Sequence, residues 1–127
     1  MTSKSIRLGF QSVVPFLSVQ GAASLVEFLS AGLGAKQTFQ SASGTHLEVR
    51  IGDSMLMIGD VGDRTPVTGQ LFMYVEDADA SYKRAIQAGA TSIMEPGLRP
   101  WGEGEELLLA AGVKDPAGNL WFFAGPK

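Results

Sequence analysis

Along the first half of the chain, the spacing of hydrophobic residues changes from that of a strand to that of a helix and back to that of strands. An apolar run at residues 13–19 predicts a strand, which ends at Gln20 and Gly21. Apolar residues then recur at the spacing of one helix face, and Gly34 supplies a stop. Three short strands are predicted next, at residues 36–40, 45–51 and 55–58. The residues of that helix face are Ala22, Leu25, Val26, Leu29 and Leu33.

The second half repeats this order. A strand at residues 70–75 precedes a helix that Asp77 or Asp79 can cap, and strands follow at residues 91–94, 107–114 and 120–124. Positions of the same type match between the halves, such as Val19 with Val75. The sequence therefore predicts an α+β fold of two tandem βαβββ modules. We expect one domain over residues 1–127, with module 1 at about 10–60 and module 2 at about 68–126.

Each module has one helix to cover one face of its sheet, so the other face is left uncovered. Two such curved sheets, placed side by side, would enclose a shared concave cavity. Alternation along the first strand of each module predicts which side chains point into it and which toward the helix. The predicted cavity residues are Val14, Phe16 and Ser18 in module 1 and Gln70, Phe72 and Tyr74 in module 2.

One polar row stands out on the strand at residues 45–51. Its apolar side chains should meet the helix, whereas His46, Glu48 and Arg50 face the cavity. An imidazole, a carboxylate and a guanidinium in line suit an acid–base pair with an anion anchor, which makes His46 and Glu48 candidate catalytic residues. The alternative is a partly solvated, ion-paired strand face.

Aromatic residues form a second candidate group. Phe16, Phe72, Tyr74 and Phe122 line the predicted cavity, and Trp101 lies in a loop at residues 96–104 that can fold over it. Together with Arg50 and Gln70, they are the candidate ligand-binding residues for a flat or apolar molecule. The alternative is that these rings fill the space between the sheets. Four other residues are expected on the helix side: Met55, Met57, Trp121 and Phe123.

Composition narrows the function classes. The net charge of −3 argues against nucleic acid and anionic membranes as partners. With no Cys and one His, the chain has no disulfide, no thiol nucleophile and no zinc finger. No signal peptide and no membrane-length apolar stretch is recognised, so we expect a cytoplasmic protein.

Three motifs resemble those of the vicinal oxygen chelate superfamily, which includes glyoxalase I, bleomycin-resistance proteins and extradiol dioxygenases. They are the acidic start of the second helix at residues 75–79, the strand and turn at residues 45–54, and the segment at residues 115–121. The second motif, with residues 100–102, is similar to the PhnB-like branch. The resemblance implies the paired-module fold and a homodimer, either with or without exchange of modules between chains.

In metal-using members of that superfamily, the ligands stand on the first and last strands of each module. The positions that match them here are Val14, Gln70, approximately Leu56, and Phe122. Three of these four side chains cannot bind a metal, and one neutral amide does not offset the dehydration of a divalent ion. We therefore expect no metal and no cofactor.

Three functions remain open from the sequence. The first is metal-free binding or sequestration of a small flat or apolar ligand, as in bleomycin-resistance proteins. The second is an enzyme, either a metal-dependent lyase, isomerase or dioxygenase as the resemblance implies, or a metal-free one that uses His46 and Glu48 for proton transfer. The third is a protein that only pairs with a partner.

Overall fold

Module 1 is a four-stranded mixed sheet with one helix. The computed structural model describes residues 5–127 of the chain. Strand β1 (Phe16–Val19) leads into helix α1 (Ala22–Leu33), and the three strands that follow are β2 (Lys36–Gln40), β3 (His46–Ile51) and β4 (Ser54–Asp60). The strand order is β1-β4-β3-β2, with β1 parallel to β4 and the other pairs antiparallel.

Module 2 has the same topology. Strand β5 (Gln70–Tyr74) leads into helix α2 (Ala78–Gln87), and β6 (Thr91–Arg99), β7 (Leu108–Lys114) and β8 (Leu120–Gly125) complete the sheet. The order is β5-β8-β7-β6, with β5 parallel to β8. A short 3₁₀ helix (Glu103–Glu105) joins β6 to β7. The predicted α+β fold of two βαβββ modules is confirmed.

The alternation of apolar positions explains why each helix covers one sheet face. Leu17 and Val19 on β1 are buried, as are Leu47, Val49 and Ile51 on β3, and these are the side chains predicted to meet the helix. Trp121 and Phe123 on β8 are also buried, as expected. The core therefore lies between the two helices and the helix-facing sides of both sheets.

Helix α1 is capped from a distance. Gly21 precedes it in a left-handed conformation, with φ of 79°, and offers no capping side chain. The carboxylate of Asp60, at the end of β4, accepts a hydrogen bond from the Ala22 N–H at 3.0 Å and another from the Gly62 N–H at 2.9 Å. Helix α2 is capped locally instead, because Asp77 accepts from the Ala80 N–H at 3.1 Å.

The segment at residues 115–121, one of the motifs behind the resemblance, is a buried structural turn. The Asp115 carboxylate accepts from the indole N–H of Trp121 at 2.8 Å and from the amide of Asn119 at 3.0 Å. Asn119 in turn accepts from the Gly69 N–H at 2.8 Å, just before β5. All three side chains are buried, so this motif fixes the β7–β8 turn to the start of β5.

The two modules meet through their helices. Helix α1 packs against α2, where Gly32 lies so close to Ala85 and Ala88 that an added Cβ would stand 3.0 Å from the Ala88 side chain. The guanidinium of Arg84 donates to the Gly32 carbonyl at 3.1 Å, near the end of α1. None of the helices in the described part of the chain is long and apolar enough to cross a membrane.

Candidate functional site

The sequence-predicted site residues lie on two separate sheet faces. We call the first the module 1 face; it is the side of the β1-β4-β3-β2 sheet away from α1 and carries Phe16, His46 and Glu48. The second, the module 2 face, is the side of the other sheet away from α2. Its residues are Gln70, Phe72, Tyr74, Trp101 and Phe122.

On the module 1 face, His46 lies between two phenyl rings. Its ring centroid is 5.7 Å from that of Phe16 and 6.3 Å from that of Phe39. The strand position opposite His46 is Gly59, and a Cβ there would stand 2.9 Å from the Phe16 ring. The glycine therefore leaves room for Phe16 to lie beside the imidazole. Phe39, on β2, was not among the predicted site residues.

His46 and Glu48 form the pair that their spacing on β3 predicts. The His46 Nε2 atom lies 2.9 Å from the Glu48 Oε2 atom. Glu48 is only 2% exposed, whereas the His46 side chain is 31% exposed. The carboxylate is thus a buried group whose imidazole partner is open to solvent.

The guanidinium beside Glu48 comes from Arg7, not from Arg50. Arg7 Nη1 donates to Glu48 Oε2 at 2.8 Å, and its guanidinium lies 4.4 Å from the centroid of the Phe10 ring. Arg50, two residues further along β3 on the same face, instead donates to the Gly9 carbonyl at 3.5 Å. The alternation of β3 places His46, Glu48 and Arg50 on the module 1 face, but the cation that contacts Glu48 is Arg7. The segment before β1 carries no periodic pattern, so no sequence signal placed Arg7 there.

Arg7 and His46 both favour the charged form of Glu48. The hydrogen bond from Arg7 lowers the pKa of the Glu48 carboxyl most, the bond with His46 lowers it further, and burial opposes both. Both donors are directed at Oε2. The other carboxylate oxygen, Oε1, is buried and has no hydrogen-bond partner among the described residues.

The module 2 face is a continuous row of aromatic rings. Ring centroids are 5.1 Å apart for Phe72 and Tyr74, 6.0 Å for Phe72 and Trp101, and 6.2 Å for Trp101 and Phe122. Phe72 and Phe122 are register neighbours on the parallel strands β5 and β8. Phe72, Tyr74 and Trp101 are exposed, with 46%, 78% and 36% of their surface accessible. Gln70 is also exposed, at the start of the same strand.

Arg99 is a cation on this face that sequence reasoning missed. Strand β6 continues to Arg99 with two register shifts, although the prediction ended it at residue 94 and placed residues 96–104 in a loop. The Arg99 guanidinium donates to the carbonyls of Ala110 at 2.6 Å and Gly97 at 3.2 Å, and lies 6.0 Å from the Trp101 ring centroid. Arg99 therefore stabilises the irregular end of β6, two residues before Trp101.

The two faces do not meet within one chain. Among the described residues, every ring contact of the predicted site stays inside its own module. A cleft of about 630 Å³ does lie between the modules, and Phe72 and Tyr74 reach it, but its module 1 wall is formed by helix-side residues such as Leu33 and Leu56. The candidate site thus consists of two exposed half-sites.

The positions that the resemblance assigns to metal ligands do not fit a divalent cation. Leu56 is buried on the helix side, and its neighbour Met57, register partner of Phe16 and Glu48, lies on the module 1 face. Met55, the register partner of Arg50, lies on the same face. The expected helix-side positions of Met55 and Met57 are therefore wrong. With Val14, Met57, Gln70 and Phe122 at these positions, the donors are one amide and one thioether. In the described part of the chain, no group of three or more His, Cys, Asp or Glu side chains could hold a metal ion.

Solved structures with the same fold are numerous. TioX from Micromonospora sp. ML1 is 22% identical, with a TM-score of 0.72, over 92% of this chain and 97% of that one. A glyoxalase-related enzyme from Fulvimarina pelagi is 19% identical, with a TM-score of 0.72, over 91% and 87%. A lactoylglutathione lyase from Agrobacterium tumefaciens is 16% identical, with a TM-score of 0.65, over 91% and 94%. At these identities the likeness shows the fold alone.

A comparison with curated proteins gave no significant match. A family profile, described as Glyoxalase/Bleomycin resistance protein/Dioxygenase superfamily, matches residues 10–123. The match covers nearly the whole chain, including both modules and both half-sites. The chain therefore belongs to the glyoxalase/bleomycin resistance protein/dioxygenase superfamily.

Proposed function

We propose that this protein binds a small flat or apolar molecule without a metal ion and sequesters it on the module 2 face. The observation that carries this proposal is the row of exposed rings of Phe72, Tyr74 and Trp101, with Phe122 beside them. Exposed aromatic surface favours burial against a ligand, and stacked or tilted rings at these distances offer a planar molecule several contacts. Gln70 and Arg99, at the edges of the row, can orient a polar end.

The ligand-binding cavity would be completed by a second copy of the chain. Both half-sites expose large apolar side chains, with Phe16 54% and Phe72 46% accessible, and a monomer rarely leaves such surface open on two faces. We infer a homodimer in which the module 1 face of one chain covers the module 2 face of its partner. The pocket would then combine the aromatic row with the polar pair of the other chain.

Tryptophan fluorescence tests the proposed ligand class. Trp101 is 36% exposed and Trp121 is 1% exposed, so quenching by a small ligand reports almost entirely on Trp101. We expect saturable quenching by planar compounds such as 2-naphthol and quinoline. Trp101→Phe removes the signal but keeps a ring, so calorimetry on that variant should still detect binding. Quenching that does not saturate, or that is unchanged in Phe72→Glu, would contradict the proposal.

The second candidate function is metal-free proton transfer. It is favoured by the 2.9 Å contact between Glu48 and His46, because a buried carboxylate that accepts the Nε2 proton leaves Nδ1 as the basic nitrogen of an exposed imidazole. One of the similar structures is named a lactoylglutathione lyase, and an enzyme with this fold is the precedent for the second candidate. A turnover that depends on pH, is lost in His46→Ala and survives chelation would support this candidate over sequestration.

A further inference from the structure

Only one of the two carboxylate oxygens of Glu48 accepts a hydrogen bond among the described residues. It is 2% exposed, and its two donors, Arg7 at 2.8 Å and His46 at 2.9 Å, both contact Oε2. Oε1 is buried without a partner among the described residues, although a buried acceptor is normally satisfied. Arg7 therefore uses one of the two oxygens that a planar cation can bind together.

The surroundings of Glu48 suit an organic cation with an apolar body. The rings of Phe16 and Phe39 flank the neighbouring imidazole, and Phe10 already stacks on the Arg7 guanidinium at 4.4 Å. Beside them, the segment before β1 and Met57 on β4 form an open pocket of about 200 Å³, lined by Arg7, Phe10 and Val14 among others. Met57 is the register partner of Glu48, so this pocket adjoins the carboxylate.

We propose that the module 1 face carries a site for an organic cation, an amidinium or guanidinium joined to a ring or other apolar group, which Arg7 of the same chain occupies in the free protein. A cation must replace Arg7 when it leaves, because a buried carboxylate with no positive partner is strongly destabilised. An amidinium can donate to Oε1 and Oε2 at once, which Arg7 does not. This inference goes beyond the proposed function: in the proposed dimer the site would lie in the same pocket as the aromatic row of the other chain, but it recognises a positive charge and not a flat ring.

The single histidine makes the test specific. His46 is the only imidazole in the chain, so its two carbon-bound ring protons give unambiguous NMR signals beside the site. The probe is benzamidine, and benzamide is its neutral control of nearly the same shape. We expect benzamidine to shift the His46 signals in a saturable manner and at a clearly lower concentration than benzamide, which can bind in the pocket only through its ring.

Removal of Arg7 should strengthen binding. If Arg7 occupies the site about nine-tenths of the time, Arg7→Gln raises the affinity for benzamidine about tenfold. Arg64→Gln is the matched control, because Arg64 is exposed, lies in the loop after β4 and donates from its side chain to the Val61 carbonyl of the same loop. Glu48→Gln should abolish binding of benzamidine. Because that change also affects folding, the higher affinity expected for Arg7→Gln is the decisive result.

Three results would overturn the proposal. They are the absence of His46 shifts with benzamidine in both wild type and Arg7→Gln, equal affinities for benzamidine and benzamide, and equal affinities of Arg7→Gln and Arg64→Gln for benzamidine. The proposed function is tested separately, by Trp101 quenching with uncharged 2-naphthol. Equal affinities for benzamidine and benzamide with 2-naphthol quenching intact would overturn only this inference, whereas a loss of 2-naphthol quenching with benzamidine still preferred would overturn only the proposed function.

Discussion

At the scale of single residues, Glu48 shows how a charged group is kept inside a small domain. Alternation alone places it on the open face of β3, where a carboxylate would be expected to be solvated. The segment before β1 covers it, and Arg7 and His46 supply the compensating donors. A buried charge is tolerated when it is paired, so the fold of this segment and the ionisation of Glu48 depend on each other.

We predict that Glu48→Gln lowers the free energy of unfolding by about 1.5–3 kcal/mol at pH 7, the size of a hydrogen bond to a charged group. Because the folded pKa of Glu48 is lowered, its contribution is present above the unfolded pKa and is lost as pH falls through the folded value. Urea unfolding at pH 7 and in steps below pH 4.5, the ordinary value, checks this.

The matched control is Glu27→Gln, which removes an exposed carboxylate on α1. It should change the unfolding free energy by less than about 0.5 kcal/mol at either pH. A difference between wild type and Glu48→Gln that grows in acid, or that equals the Glu27→Gln effect at pH 7, would contradict the assignment of Glu48 as a paired carboxylate.

At the scale of elements, the two modules share a topology but not their helix caps. The repeat predicts both helices, yet α1 has glycine where α2 has Asp77. Module 1 compensates with Asp60 on its last strand, which brings the end of β4 and the start of α1 together. The cap of α1 is therefore a tertiary contact, and strand and helix stabilise each other.

We predict that Asp60→Ala destabilises the protein by about 1–2 kcal/mol, the usual cost of losing an N-cap. The bonds from the Ala22 and Gly62 N–H groups lower the pKa of Asp60, so this contribution too is lost as pH falls through the folded pKa. Thermal unfolding of Asp60→Ala against Asp63→Ala, an exposed neighbour, measures it. Equal melting temperatures for the two variants would show that Asp60 does not cap α1.

Periodic elements could be predicted from the sequence, and features set by the path of the chain could not. The alternation on β3 gave the His46 and Glu48 pair because strand neighbours two residues apart share a face. The register of β4 and the length of β6 were misjudged: Met57 lies on the opposite face, and β6 passes through Pro96 with two register shifts. Arg7, Asp60 and Arg99 act on distant backbone or side chains, which no local pattern encodes.

At the scale of the whole molecule, the arrangement of the modules determines whether one chain can form a complete site. Within the chain, α1 and α2 pack together, and the described rings of the two faces make no contact. Each face still bears exposed aromatic side chains suited to burial. The proposed exchange between two copies would place the module 1 face of one chain opposite the module 2 face of the other, twice per dimer.

Complementation between two defective variants tests that exchange. Phe16→Glu damages the module 1 face and Phe72→Glu the module 2 face, so in a pure dimer of either variant both cavities carry one charged wall. A mixed dimer contains one cavity with two damaged walls and one with none. We therefore expect 2-naphthol binding, lost in each pure variant, to return after the two are unfolded together and refolded, at up to one site per mixed dimer.

The control is a mixture of Phe72→Glu and Phe122→Glu, which damage the same face and should restore no binding. Sedimentation should show a dimer for the wild type. If the first mixture also stays inactive while forming mixed dimers, the cavity does not draw on both chains in this way.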